Sequence, residues 1–118
     1  MQENPQFGDI YYADLKADGC VQGGCRPVII ASNNICNQHS PVIEVIPLST
    51  QKKSMYLPVH PLIVANPGNG LRVDSVALAE QTRVINKGEL RKRLGNLSHH
   101  DLVRVGRARN VQSPFPIK

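Results

Sequence analysis

Hydrophobic residues along the chain fall into short runs whose pattern predicts β-strands. Residues 8–14 (GDIYYAD) alternate in side-chain character as a strand does. Residues 26–32 (RPVIIAS) and 42–48 (VIEVIPL) are continuous apolar runs rich in β-branched side chains, which are typical of strands buried on both faces. Residues 73–80 and 82–85 indicate two more strands. Most of the chain is therefore predicted to form a β-sheet.

Prolines, glycines and polar residues mark the boundaries of these runs. Residues 56–62 (YLPVHPL) carry two prolines and indicate an edge strand or a loop, and residues 66–70 (NPGNG) predict a turn. Helical character appears at residues 87–94 and again after Ser98, which is a candidate N-cap with Asp101 as the acidic partner of a capping box. The pattern predicts a β+α fold, a small barrel-like, twisted antiparallel β-sheet with C-terminal helices.

The length of 118 residues predicts one domain, spanning residues 1–118, with a core from about residue 8 to 110 and a loose tail at 111–118. A hydrophobic fraction of 41% is enough for a core, although a domain of this size buries a modest share of its surface and gains from a second copy. No apolar run approaches the roughly 18 residues of a membrane span, and the first residues lack a signal-peptide pattern. We expect a cytoplasmic protein without a membrane segment.

The charge of the chain is concentrated near its end. The formal net charge is +5, and residues 83–109 hold eight Lys and Arg side chains against two Asp and Glu side chains. Such a segment is suited to following a phosphate backbone, and it is equally compatible with a solvated helical face. The charge pattern alone leaves both interpretations open.

Several common kinds of site are excluded by the sequence. It contains no GxGxxG, GxxxxGK[ST] or HExxH motif, so neither a nucleotide cofactor nor a metal ion is expected. The histidines lack metal-ligand spacing, and they lie at positions 39, 60, 99 and 100. Cys20, Cys25 and Cys36 form no CxxC pair, and we expect reduced, partly buried structural thiols.

The segment QGGCRP at residues 22–27 is the most informative for chemistry. Its two glycines permit a close approach of the backbone to a ligand, and Arg26 stands at the mouth of a predicted strand. A guanidinium there is suited to gripping a phosphate through two parallel hydrogen bonds. The alternative is an ion pair between Arg26 and a carboxylate such as Asp9 or Asp74.

Four motifs in order, GDIYYADL, QGGCRPVIIASN, LST and VDSVALAEQTRVI, resemble the MazF/PemK (also called Kid) toxins of type II toxin–antitoxin systems. The resemblance covers roughly residues 8–109. It implies the fold shared by MazF and CcdB toxins, a homodimer, and an endoribonuclease that needs no metal and no cofactor. It also implies a MazE-like antitoxin, a peptide of which occupies the RNA groove.

The resemblance also implies roles for individual residues. The essential arginine of the family falls on Arg26, and its second catalytic position, a hydroxyl at the end of the third strand, falls on Ser49. Many members carry threonine there, and Thr50 is the alternative hydroxyl in this chain. Val21 replaces the polar residue, often glutamate, that many members carry before QGG. The implied RNA-binding positions are Gly24, Asn33, Thr50, Leu57, His60, Asp74 and Gln81.

The reaction implied is cleavage of single-stranded RNA, including mRNA, by attack of its own 2′-hydroxyl. The products are a 2′,3′-cyclic phosphate, or the 3′-phosphate formed from it, and a 5′-hydroxyl end, and the consequence is inhibited translation and growth. Two other functions remain open on the same fold, a CcdB-like topoisomerase poison and an inactive RNA-binding relative. A protein-binding poison has no need of Arg26 together with Ser49, which favours the ribonuclease.

Overall fold

The computed structural model describes residues 4–15, 25–50 and 60–112, which form a curled sheet and two α-helices. Two 3₁₀ turns, Ala79–Gln81 and Lys87–Glu89, flank the sixth strand. The strands and helices in chain order are β1 Asp9–Asp14, β2 Cys25–Ile30, α1 Asn34–His39, β3 Val42–Ser49, β4 Leu62–Ile63, β5 Ser75–Ala77, β6 Arg83–Asn86, β7 Leu90–Asn96 and α2 His99–Gln112.

The sheet follows the spatial order β4-β5-β3-β2-β1-β7, and all of its pairs are antiparallel. The long strand β3 pairs with β2 and, at different points along its length, with two further strands. Its first residues pair with β6, from Val42 opposite Asn86 to Val45 opposite Arg83, and its last residues pair with β5. Since one strand changes partner along its length, the sheet curls into a half-barrel.

Two apolar clusters occupy the two faces of the sheet, as expected for the runs that form β2 and β3. One face carries Ile29 and Ile46, which pack with α2 through Val105. The other face carries Val28 and Val45, both fully buried. Each buried Val or Ile side chain contributes about 1.5–3 kcal/mol of transfer free energy, so the central strands hold the fold together.

The NPGNG segment forms the predicted turn and is pressed against β7. The side chain of Asn69 accepts hydrogen bonds from the backbone N–H groups of Asn66 (3.1 Å) and Leu71 (3.0 Å). Gly70 has φ of +71°, a conformation that L side chains rarely adopt. A Cβ on Gly95 of β7 would lie 2.3 Å from a carbonyl oxygen of the turn, so glycine is required for this packing.

The helix predicted at residues 87–94 is wrong, since a 3₁₀ turn there leads into strand β7. Arg91 and Arg93 pair with the buried Asp14 and Asp9 of β1. Pairing with β1 makes this segment a strand, although its own sequence has no strong strand pattern. The described residues therefore contain one C-terminal helix where the sequence predicted more than one.

Helix α2 begins as predicted, although its capping differs in detail. The Oγ of Ser98 accepts a hydrogen bond from the backbone N–H of Asp101 at 3.2 Å, which confirms Ser98 as the N-cap. The carboxylate of Asp101 accepts a hydrogen bond from Arg104 at 3.0 Å. The helix ends at Gln112, two residues beyond the core expected from the sequence.

The expectation of reduced, partly buried cysteines holds only in part for the two described cysteines. Cys25 is partly buried at the start of β2, as expected, but it is disulfide-bonded and not reduced. Cys36 is free, but it is exposed because the short helix α1 presents it to solvent. Cys20 lies outside the described residues.

Candidate active site

The strand register brings Arg26 and Ser49 to the same place. Strands β2 and β3 are antiparallel, with Val28 opposite Pro47. Arg26 and Ser49 stand two residues beyond this pair, at the same end of both strands. Because residues two apart on a strand share a face, both side chains belong to the face that carries Val28. A guanidinium and a hydroxyl therefore lie at the same end and on the same face of the sheet.

The structure also distinguishes the two candidate hydroxyls. Ser49 is the last residue of β3, whereas Thr50 follows it in a bend outside the strand. Thr50 lines a separate pocket of about 230 Å³ together with Pro27 and Tyr12. Ser49 is half-buried, whereas Thr50 is exposed. The geometry therefore favours Ser49 as the hydroxyl that faces the arginine.

Arg26 is exposed and forms no side-chain hydrogen bond or ion pair with another residue that the structure describes. Both carboxylates that the sequence offered as partners are engaged elsewhere. Asp9 pairs with Arg93 at 3.2 Å, and Asp74 accepts a hydrogen bond from the backbone N–H of Ala65 at 2.8 Å. Among the described residues, no carboxylate forms the ion pair considered for Arg26, and this residue is exposed.

Two of the predicted RNA-binding residues have structural roles. Asn33 is the N-cap of α1, where its side chain accepts a hydrogen bond from the backbone N–H of Cys36 at 2.9 Å. It follows the far end of β2, about 20 Å along the chain from Arg26. Asp74 secures the loop before β5 through Ala65. Asn33 therefore lies beyond the opposite end of β2 from Arg26, whereas Asp74 lies two residues before Val76, the partner of Ser49 on β5.

His60 is buried, and its Nε2 lies 2.7 Å from an Oε1 of Glu80, which is 31% exposed. This pairing was missed by the sequence reasoning, since it depends on the register of the short strands β4 and β5. Gln81, the neighbour of Glu80, is exposed on a 3₁₀ turn. The roles of these side chains in RNA binding stay predictions.

Gly24 and Leu57 lie outside the described residues. Within residues 4–15, 25–50 and 60–112, no cluster of three or more His, Cys, Asp or Glu side chains is arranged to hold a metal ion. In the same part of the chain, no helix has the length and apolar character needed to cross a membrane.

The family model for PemK-like, MazF-like toxins of type II toxin–antitoxin systems matches residues 6–111. The protein belongs to this toxin family. The toxin is 37% identical over 105 residues to "Endoribonuclease EndoA" of Bacillus subtilis, covering 88% of this chain and 90% of the relative. It is 34% identical over 105 residues to "Endoribonuclease MazF" of Staphylococcus epidermidis, covering 88% and 87%. The family predicted from the sequence is thus confirmed.

Solved structures confirm the predicted fold of the toxin. A mycobacterial endoribonuclease in complex with its cognate antitoxin has a TM-score of 0.76 at 23% identity, with 97% of this chain and 99% of that chain covered. A MazE–MazF structure from Deinococcus radiodurans has a TM-score of 0.75 at 19% identity, with the same coverage. Both support a half-barrel carrying a C-terminal helix.

Proposed function

We propose that this toxin is a sequence-specific endoribonuclease that cleaves single-stranded RNA, mRNA included, without a metal ion and thereby inhibits translation and growth. The observation that carries the proposal is the exposed guanidinium of Arg26 at the same end and on the same face of the β2–β3 pair as the hydroxyl of Ser49. The names of the curated relatives, endoribonucleases that cover most of this chain, agree with this activity.

RNA supplies its own nucleophile, so the protein needs to align the reacting atoms and stabilise charge. The 2′-oxygen forms a bond to phosphorus, the bond to the 5′-oxygen breaks, and in net one proton moves from the 2′-hydroxyl to the 5′-oxygen. Arg26 donates hydrogen bonds to the non-bridging oxygens as their charge grows. Ser49 donates to one of these oxygens or orients the 2′-hydroxyl. The ends formed are a 2′,3′-cyclic phosphate, or its 3′-phosphate, and a 5′-hydroxyl.

A topoisomerase poison and an inactive RNA-binding relative are the competing functions on this fold. Neither accounts for an arginine without a carboxylate partner in the described residues and on the same face as a serine. A protein-binding surface gains little from one exposed cation, since exposed ion pairs contribute about 0–1 kcal/mol. The pair Arg26–Ser49 therefore favours phosphate chemistry.

Partners follow from the same proposal. We place the toxin in the cytoplasm, where mRNA is found, and assign it a MazE-like antitoxin, as in the antitoxin complex among its structural neighbours. We also propose a homodimer, because edge strands and exposed apolar side chains favour association. The large apolar side chains exposed among the described residues are Phe7, Ile35, Val42, Val64, Val73, Val84 and Val103.

The test is cleavage of a long single-stranded RNA in EDTA, with the cut sites and the chemistry of the new ends mapped. We expect cuts at one short motif that leave 5′-hydroxyl ends. A substrate with 2′-deoxyribose at the nucleotide that carries the attacking hydroxyl is expected to stay intact. Cleavage of that deoxy substrate, or a requirement for metal, would contradict the proposal.

The matched variants are Arg26→Ala and Arg107→Ala. Arg107 is an exposed arginine of α2, so its removal lowers the net charge by the same amount. Cleavage is expected to disappear with the first variant and to persist with the second. Equal losses in both would indicate a general charge effect instead of a site at Arg26.

A further inference from the structure

A basic cavity lies beside the edge strand β7, apart from the pocket lined by Thr50. Its volume is about 490 Å³, within the range of small-molecule and nucleotide sites. Lys87, Arg91 and Arg93 supply three cations to its wall, and none of the described residues that line it is acidic. The remaining lining residues are Asn4, Pro5, Tyr11 and Leu90.

Two of these cations are positioned by buried carboxylates. The side chains of Asp14 and Asp9 are 3% and 6% exposed, and they pair with Arg91 at 3.3 Å and Arg93 at 3.2 Å. The two arginine side chains nevertheless remain 43% and 50% exposed. A guanidinium has five N–H donors, so an anchored arginine still presents donors to a ligand. The buried acids thus preorganise two cations at the cavity.

The third cation, Lys87, is not positioned by a buried carboxylate of the described residues. The Nζ of Lys87 reaches the Oδ1 of Asn4 at 3.5 Å, and no carboxylate within the described residues pairs with it. Because Asp14 and Asp9 each offset one arginine, Lys87 gives the wall of the cavity its net positive charge, which an anion would complement. A structural network accounts for Arg91 and Arg93, but it leaves Lys87 unexplained, and this asymmetry points to an anionic ligand.

The cavity is connected to the Arg26–Ser49 pair by the strand register. Ala13 of β1 lies between Arg26 of β2 and Leu90 of β7, opposite each of them. Two strand spacings separate Arg26 from Leu90, which is about 10 Å. At a rise of about 3.4 Å per stacked nucleotide, a strand covers this distance in three nucleotides. Tyr11 is two residues from Ala13 and so shares the face of Arg26.

We infer that this cavity binds a nucleotide of the substrate strand that flanks the scissile position. Its phosphate lies against Lys87, Arg91 and Arg93, and its base packs on the ring of Tyr11. The inference rests on the proposed RNA cleavage and adds to it a binding site outside the catalytic pair. It gives the basic segment near the end of the chain a direct contact with RNA.

The test compares kcat/KM for a short RNA that spans the cut motif with that for the same RNA extended by three nucleotides on either side. In the wild-type toxin, extension on one side is expected to raise kcat/KM several-fold. Lys87→Gln is expected to lose most of that gain, and its salt dependence is expected to fall by about one unit of slope. Arg107→Gln, which removes an equal charge from α2, is expected to keep the gain.

A second variant removes Arg91 without leaving the buried carboxylate of Asp14 unpaired. Asp14→Asn combined with Arg91→Gln leaves the net charge at +5 and replaces the ion pair by two amides. We expect it to lose the gain from extension while keeping a cooperative thermal transition. If it does not fold, Lys87→Gln decides alone, since that side chain has a single weak contact.

The proposed flanking site and the proposed RNA cleavage are contradicted by different results. If the wild-type toxin cuts RNA through Arg26 and the Lys87→Gln toxin gains as much from extension as the wild type does, the flanking site is wrong and the activity stands. Absence of any cut by the wild-type toxin overturns the proposed function, and the flanking site with it.

Discussion

Arginines occupy two regions of the toxin, and their surroundings differ. On β7 and α2, three arginines pair with acids of neighbouring elements and Arg104 pairs with an acid of its own helix, while Arg107 is exposed. Arg26, at the start of β2, is exposed and has no such partner among the described residues. The pairs of the first region are Arg91–Asp14, Arg93–Asp9, Arg104–Asp101 and Arg109–Glu44.

This difference shows that the local density of charge does not identify the arginine that lacks a carboxylate partner among the described residues. The basic segment at residues 83–109 is where the sequence concentrates positive charge, yet carboxylates of the fold engage four of its arginines. Arg26 stands apart in sequence, and the fold gives it a hydroxyl instead of an acid. Removal of Arg26 should therefore affect chemistry, whereas removal of an anchored arginine should affect stability.

The largest effect is expected for Arg26→Ala. Loss of a donor to a developing oxyanion typically costs about 100-fold to 1000-fold, so we expect kcat/KM for the mapped RNA to fall by at least about 100-fold. The melting temperature should stay within about 2 °C of the wild type, since no partner is left unpaired. Arg26→Lys keeps the charge without the fork of donors and should recover only part of the rate. If the Arg26→Ala protein is inactive and has also lost its thermal transition, Arg26 is needed for folding, and its difference from the paired arginines is wrong.

Ser49→Ala and Thr50→Ala sharpen the contrast within the site. We expect Ser49→Ala to lower kcat by about 10-fold to 100-fold, because it removes one hydrogen bond made to the reacting phosphate. Thr50→Ala should change kcat less than about 3-fold, because that side chain follows the end of β3 and lines a separate pocket. Single-turnover rates on the same RNA measure both. The reverse order of effects would transfer the catalytic role to Thr50.

Arg109→Ala is expected to act on stability. The guanidinium lies 2.9 and 2.8 Å from the two carboxylate oxygens of Glu44, but its side chain is 42% exposed and its buried Nε lacks a partner in the described residues. We expect a loss of about 0.5–1 kcal/mol in the free energy of unfolding, measured with urea. Cleavage by the folded variant should match the wild type. A loss of activity without a loss of stability would place Arg109 in the RNA groove.

Arg104→Gln is expected to have the smallest effect. Its guanidinium pairs with Asp101 one turn earlier in α2 at 3.0 Å and donates to the carbonyl of Leu62 at 2.8 Å. Helix pairs of this spacing contribute about 0.2–0.5 kcal/mol, so urea unfolding should show a shift of that order. A cost above about 2 kcal/mol would mean that the contact with β4 is a main support of the helix.

The central strands could be predicted from the sequence because continuous runs of β-branched apolar residues indicate strands buried on both faces. The segments that became β2 and β3 are rich in β-branched residues and are buried on both faces. Strand β7 could not, because its residues are largely polar and its partner β1 is distant in the chain. Helix α1 was also missed, since a six-residue segment carries little periodicity.

The candidate site was predictable to a similar extent. The glycine pair before Arg26 and the resemblance to MazF/PemK toxins selected Arg26 and Ser49, but their place at the same end of two paired strands became visible only in the structure. The partner of His60, Glu80, and the disulfide at Cys25 depend on contacts between segments that no local pattern records.

The most direct test of the account is a double-mutant cycle on Arg26 and Ser49, read as single-turnover cleavage of the mapped RNA. If both side chains stabilise the same transition state, the double alanine variant should be little slower than Arg26→Ala alone. Losses that multiply fully, with the two variants acting independently, would contradict a shared site at the ends of β2 and β3.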